Sequence, residues 1–285
     1  MPDTAFQTMY RDEFIAGFEE RQSALRSACV TQAQVKGNTA VFLVAGSGPV
    51  GTPASAVTRG VNGLLPYRAD DMTQWSATLQ EWHDPVRKTG FNVFASQGDQ
   101  RRIMQETSMG TINRKIDLDI IAQLDSATIN TGTPATASVA MVAKSLAALG
   151  NAYVPVEEEE NMFGVVTPAF WSYMMQFPEM SKGSYVEVKL FSGAIKKMWR
   201  WFGVNWIRSS LLTGLATSTE KCYLFHRNAI GNAIDTRGLQ TDVGYNGEHD
   251  YSYARTTVYV GSRLLQNNGV VQMKHDGSAT ALPVS

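Results

Sequence analysis

Cysteine is nearly absent: the 285 residues contain two, Cys29 and Cys222. Two thiols make neither a disulfide framework nor a tetrahedral zinc site, and both read as reduced thiols of a cytosolic product. Charge is sparse as well, 18% of residues, against about 25% in a typical domain. That shortage points to surface which becomes covered by something else. Twenty-five basic and twenty-six acidic residues leave a net charge of −1, so bulk attraction to nucleic acid or anionic membrane is not expected. The four histidines (His83, His226, His249 and His275) show neither H-x-x-x-H nor H-E-x-x-H spacing, and no metal is expected. No apolar run reaches the ~18 residues of a membrane span. The opening MPDTAFQTMYRDEF lacks the basic start and apolar core of a secretory signal. The expectation is a soluble protein made inside a cell, with 44% hydrophobic residues to build one large or two modest domains.

What is present includes one motif that invites a specific chemistry. Val41-Phe42-Leu43-Val44 runs into Gly46-Ser47-Gly48-Pro49-Val50-Gly51, with Asp70 and Asp71 about twenty positions on. This matches the dinucleotide-binding fingerprint, whose last glycine opens a helix that holds the pyrophosphate. Here Pro53, Gly60, Gly63 and Pro66 follow, with β-branched Val57, Thr58 and Val61 between. A proline in a helix interior costs about 3 kcal/mol and a glycine about 1, and no apolar stripe offsets them. Without the helix there is no anion cradle, and no cofactor is expected.

Thr4 to Cys29 reads as an amphipathic helix, with Phe6, Tyr10, Phe14, Phe18, Leu25 and Cys29 on one face. It either covers its own core or lies as an arm on a neighbour. Two extended limbs follow, Gln34 to Ala45 and Met72 to Ala95, flanking an aperiodic Gly/Pro/Ser/Thr stretch. Loops of that length inside a compact domain are usually functional or disordered. Pro85 bars the second limb from a central sheet position, so the pair reads as a ribbon reaching away from a domain. A long helix is expected from Gly98 to about Ala127, with Met109, Ile112, Ile116, Ile120, Ile121 and Leu124 as its stripe and Asp117 and Asp119 on other faces. Roughly 30 residues would span about 45 Å. A helix from Val139 is expected to close at Gly150, and Glu157–Glu160 reads as a solvated loop. Phe163–Val166 reads as a strand, Thr167-Pro168 as a helix start, MWRWFGVNWIR as one strand, and KCYLFH and DYSYARTTVYVG as further strands.

Candidate chemistry is thin. His83 and Asp84 are neighbours on an extended limb and would point to opposite faces. His226-Arg227-Asn228, at a strand end, is the best local candidate for a site, yet no nucleophile elbow, reactive-cysteine pattern or carboxylate pair accompanies it. No catalytic residue is assigned. Lys196, Lys197, Arg200 and Arg208 beside Trp199, Trp201 and Trp206 imitate a stacking platform for single strands, but Trp199 and Trp201 share a face that reads as core.

Six segments carry a resemblance: FIAGFEERQS, AVTRGVNGLLPYRAD, LQEWHDPVRKTGFNVFASQG, ETSMGTINRKID, EKCYLFHRNAIGNAIDTRG and DYSYARTTVYVGSRLLQNNGVVQMKHDGS. In wording and order they resemble the major capsid proteins of tailed bacteriophages, with the Hong Kong 97-type fold, over nearly the whole chain. The resemblance implies an α+β fold with an N-terminal arm at 1–35 and an extended β-hairpin loop, the E-loop, at 36–95. It further implies a peripheral domain at 96–130 and 239–285, containing a long spine helix, and an axial α/β domain at 131–238. It implies a structural protein that assembles with copies of itself, through pentamers and hexamers, into an icosahedral head enclosing double-stranded DNA without specific binding. Residues expected at subunit interfaces are Phe6, Tyr10, Phe14, Phe18, Arg59, Arg68, Trp75, Glu81, Trp82, His83, Arg87 and Lys88. Because only about 35 residues precede the loop, a separate scaffolding protein is expected, together with a portal. Assembly is expected in the host bacterial cytoplasm, with the product in the virion and no membrane involved. Lys–Asn cross-linking, found in some relatives, has no recognisable constellation here. The alternatives are a soluble α/β enzyme with a strand-end site near His226, a nucleotide-binding protein at Gly46, or another virion component such as a tail-tube or portal-associated protein.

Overall fold

A computed structural model describes residues 23–32, 35, 37–46, 54–65, 71–95, 100–177, 198–235 and 239–278. After a 3-10 turn at Arg26–Ala28 come strands β1 (Val30–Gln32), β2 (Thr39–Gly46), β3 (Asp71–Thr78) and β4 (Gln80–Thr89). Helices α1 (Gly90–Ala95), α2 (Gln100–Asp125) and α3 (Val139–Asn151) precede β5 (Met162–Val166), α4 (Pro168–Gln176), β6 (Met198–Trp201) and β7 (Val204–Arg208). Strands β8 (Glu220–His226), β9 (Ile230–Ile234), β10 (Gln240–Asn246), β11 (Tyr251–Leu264) and β12 (Val270–His275) follow. The chain divides into two compact units, one drawn from Glu81–Lys115 and Arg237–Tyr259, the other from Ala24–Gln80, Ile116–Thr236 and Val260–Ser285.

The long helix forms where its spacing predicts. Ile112, Ile116, Ile120, Ile121 and Leu124 are all buried, as a 3.6-residue stripe requires. Met109 is only half-buried, and Met104 and Ser108 extend the buried row instead. Asp117, expected outside, is buried: its carboxylate accepts from the backbone N–H groups of Ala24 and Leu25 at 3.0 and 3.2 Å. An orphan donor at a turn start is as strong a reason to bury a carboxylate as any apolar contact is to bury isoleucine.

The larger unit is built on a five-stranded sheet ordered β12-β8-β5-β7-β6. Every residue of β5 is buried, as a strand covered on both faces should be. Thr167 caps α4, its hydroxyl accepting from Phe170 N with Pro168 at the first helical position. Ser138 caps α3 in the same way. That helix runs past Gly150 to Asn151, and the left-handed residue that ends it is Tyr153. MWRWFGVNWIR is two strands, not one: Phe202 and Gly203 both adopt positive φ, 55° and 69°, giving the primed two-residue turn that suits hairpin twist. Trp201 and Trp206 lie in the core, and Trp206 Nε1 donates to Trp201 O at 2.9 Å.

A second sheet follows the path β1-β9-β11-β10, with β4 also pairing β11. The expected returning limb, Met72 to Ala95, is therefore divided. Residues 71–78 pair with β2, residues 80–89 join β11, and 90–95 turn helical. Pro85 sits in β4, which has no second strand partner among the described residues, where a missing N–H is harmless. Of the helix expected over Thr4–Cys29, the described end, 23–29, holds only the 3-10 turn.

Candidate functional site

The hairpin β2–β3 is in register from Thr39↔Thr78 to Gly46↔Asp71. Its alternation puts Ala40, Phe42 and Val44 on one face, opposite Ala77, Trp75 and Thr73. At the base this face is seated: Ala40, Phe42 and Ala77 form one buried cluster with Ala233 and Leu265, flanked by Val30, Val35, Val44, Trp75 and Leu79. The seat comes from sequence more than 150 positions away and depends on two glycines. A Cβ on Gly231 would lie 2.8 Å from the Phe42 ring, and one on Gly261 only 2.5 Å from the Thr78 carbonyl oxygen. Glycine inside a strand marks such close approach. The ribbon therefore does not simply reach away from its unit; its first residues are built into it.

Beyond the base the burial stops. Every residue from 54 to 65 is exposed, including Val57, Val61, Leu64 and Leu65, and Leu43 and Met72 on the strands are exposed too. A turn is set by Gly60 N donating to Leu64 O at 3.0 Å and Gly63 N to Gly60 O at 2.9 Å. Six large apolar side chains on one exposed ribbon are what a surface meant for another molecule looks like. The glycine motif begins at Gly46, the end of β2, and 47–51 lie outside the described residues. Residues 54–65 contain no helix, so the described part of the segment gives no helix to hold a pyrophosphate.

The expected interface residues divide as follows. Phe6, Tyr10, Phe14, Phe18 and Arg68 lie outside the described residues. Arg59 is exposed on the hairpin loop. Trp75 is half-buried at the hairpin base, with the Arg263 guanidinium 5.6 Å from its ring centre. On β4, His83 bonds Thr257 Oγ1 through Nδ1 and pairs with Glu81 through Nε2, both at 2.9 Å. The Lys115 ammonium sits 3.9 Å over the Trp82 ring, and Arg87 lies 5.0 Å over Tyr251. Lys88 is half-buried. Sequence reading missed the exposed Leu64 and Leu65 beside Arg59, although an aperiodic stretch carrying leucine was the available signal.

His226 is 4% exposed. Its Nδ1 accepts from Asn228 N at 3.2 Å, and Nε2 lies 3.5 Å from Glu158 Oε2. Burial holds its pKa below the usual histidine value, against the pull of Glu158. A neutral ring that caps a turn is a structural role. Asp125 gathers three donors: Lys221 Nζ at 2.8 Å, Tyr223 Oη at 2.6 Å and Thr213 Oγ1 at 2.5 Å. Burial pushes its pKa up, but these hydrogen bonds together bring it below the usual value. Cys29 and Cys222 are free and buried, and burial raises both thiols to about 12, which makes them inert. No group of three or more metal-ligating side chains occurs among the described residues, and none of their helices is long and apolar enough to cross a membrane.

Comparison with known proteins accounts for a hairpin that presents open apolar surface. The phage capsid protein family profile matches residues 3–277. No curated protein is similar to the chain in sequence. Among solved structures, the capsid of cyanophage P-SCSP1u matches with TM-score 0.69 at 12% identity, over 97% of this chain and 94% of that one. The capsid of Ralstonia phage GP4 matches with TM-score 0.68 at 10% identity, over 99% and 98%. The capsid of an empty GTA particle gives 0.71 at 11% identity, over 95% of both. At such identities the likeness speaks for the α+β fold, and the family for the role. The chain belongs to the phage capsid protein family, as a structural component of the virion and not an enzyme.

Proposed function

We propose that this major capsid protein assembles through pentamers and hexamers of itself into an icosahedral head enclosing double-stranded DNA. Its parts are the arm at 1–35, the E-loop at 36–95, the peripheral domain at 96–130 and 239–285, and the axial domain at 131–238. The observation that carries the reading is the hairpin. Its base is fixed in the subunit, whereas Val57, Val61, Leu64 and Leu65 have nothing to cover them among the described residues. At about 25 cal/mol per Å2 of apolar surface, burying that loop against a neighbour contributes to assembly without contributing to the lone subunit. The interface comprises Arg59 and the hairpin loop, the arm residues Phe6, Tyr10, Phe14 and Phe18, and Arg68, Trp75, Glu81, Trp82, His83, Arg87 and Lys88. A separate scaffolding protein and a portal complete the assembly, in the host cytoplasm. A net charge of −1 suits a wall that encloses DNA without gripping it, since tight binding would release many counterions.

Deleting Gly46–Gly63 tests the reading. The expected product is a folded, soluble subunit that forms no closed particles under electron microscopy, in conditions where the full chain does. Particles of normal size from the deletion would overturn the role given to the hairpin.

A further inference from the structure

Two polar side chains without partners among the described residues line one cavity of about 620 Å3 at the foot of the hairpin. That volume lies within the ~300–1,000 Å3 of ligand clefts. The Trp75 ring forms part of the wall, its Nε1 shut off from solvent. Arg263 stacks on the Trp75 ring and is exposed, with no carboxylate partner among the described residues. The Asn268 amide likewise has no partner among them. Other polar groups of the wall are bonded: Ser126 Oγ donates to Gln123 O, Gln123 Oε1 accepts from Leu264 N, and Asn267 is bonded to Thr128. Leu264 and Leu265 supply an apolar floor. A guanidinium and an amide above leucine call for an anionic acceptor on an apolar stem.

The same chain displays such a group. Tyr153 is 66% exposed, on a backbone with φ 59°, a costly conformation for an aromatic residue. Pro155 and Glu157 beyond it are exposed as well. Of the four glutamates, Glu158 faces His226 and accepts from Asn161, and Glu159 pairs with Arg200 at 3.4 Å. Glu157 and Glu160 have no side-chain partner among the described residues.

We infer that the Trp75–Arg263 cavity receives the Tyr153–Glu160 loop of a second copy, with Glu157 or Glu160 accepting from Arg263 and Asn268. The two surfaces differ, so the contact is heterologous, and repeating it around an axis closes a ring. The inference rests on the reading that the chain assembles with itself, and it names the partner surfaces.

Charge exchange tests it, with sedimentation velocity and electron microscopy measuring the fraction of full-length chain in rings and shells. Arg263→Glu alone, and Glu157→Arg with Glu160→Arg, should each lower that fraction about tenfold, a typical scale for one close interfacial charge pair. The three changes combined should restore it to within about threefold of the unmodified chain. The glutamates are exposed, so their variant is expected to keep the unmodified melting temperature and separates assembly from folding. Normal assembly by either charge variant, or a combination no better than its parts, overturns the inference and leaves the capsid reading standing. An unmodified chain that stays monomeric under every assembly condition overturns both.

Discussion

The two ends of one hairpin make the most informative contrast in the molecule. Ala40, Phe42 and Ala77 at its base are buried, while Val57, Val61, Leu64 and Leu65 toward its tip are open to solvent. Both ends are apolar and both are extended or turning chain, so neither hydropathy nor strand propensity separates them. The difference is the opposing surface. Gly231 and Gly261 leave the backbone of β9 and β11 bare where Phe42 and Thr78 press against it, and no described segment does this for the tip. Apolar surface is buried where a matching seat exists, and a seat missing from the subunit is one that a copy can supply.

Emptying the seat is the strongest way to break the contrast. Phe42→Ala removes a ring that is 5% exposed and leaves a cavity over Gly231. The expected loss is about 3–5 kcal/mol of subunit stability, as for buried aromatic truncations elsewhere. Urea unfolding of the subunit measures it. A loss below about 1 kcal/mol would mean that the base is no better anchored than the tip.

The contrast also separates what was legible in the sequence from what was not. Local signals were readable: the isoleucine stripe of α2, the Thr167-Pro168 start of α4, and the strands around Phe163, Cys222 and Tyr251 all form where spacing and capping chemistry place them. The open loop was readable too, because so long an aperiodic stretch is uncommon inside a compact domain unless it is functional or disordered. Long-range matches were not. Nothing near Phe42 announces Gly231, and nothing near Asp117 announces the backbone donors of Ala24 and Leu25 that draw it inside. The break at Leu79 was hidden for the same reason, since its cause is the choice between β2 and β11 as partner. The turn at Phe202 was missed because phenylalanine is a poor choice for positive φ, and only Gly203 hinted at it. The candidate site at His226 was visible as a strand end, but its burial and its capping bond were not.

Histidines extend the comparison between seated and open groups to pH. His275 is fully buried, its Nδ1 3.2 Å from Ala135 O and its Nε2 3.9 Å from Glu220 Oε2. Burial holds its pKa below 6.5, as it does for His226, despite raising contributions from Ala135 and Glu220. Above about pH 6.5 both folded and unfolded chains carry these rings neutral, and stability is at its full value. Below it the unfolded chain takes up protons that the folded chain resists, so stability falls as pH drops from 6.5 toward the depressed folded values, by at most about 1.4 kcal/mol per pH unit for each ring. His275→Asn, which keeps a donor near Ala135 O, should flatten the acid limb by one proton's worth. Asp125, whose pKa is lowered from 3.8, acts in a separate and more acid window. An unchanged slope between pH 6.5 and 5 would show that His275 is not held neutral.

The smallest expected stability effect is at the tip, and it carries the other half of the contrast. Leu64 is exposed, and its one bond among those that set the turn is made by its carbonyl, which accepts from Gly60 N. Leu64→Ser leaves that backbone bond in place and removes only apolar surface already in water. Subunit stability should therefore change by less than about 0.5 kcal/mol, the usual range for surface substitutions. Self-association should nevertheless weaken, because burying a leucine against a partner is worth about 1.5–3 kcal/mol, close to ten- to a hundredfold in the association constant. Phe42→Ala and Leu64→Ser thus exchange their effects, one acting on unfolding of the lone chain and the other on its assembly. Measuring both variants by urea unfolding and by sedimentation decides whether the hairpin has two functions along its length: equal losses in both assays for both variants would show that it behaves as a single packed element.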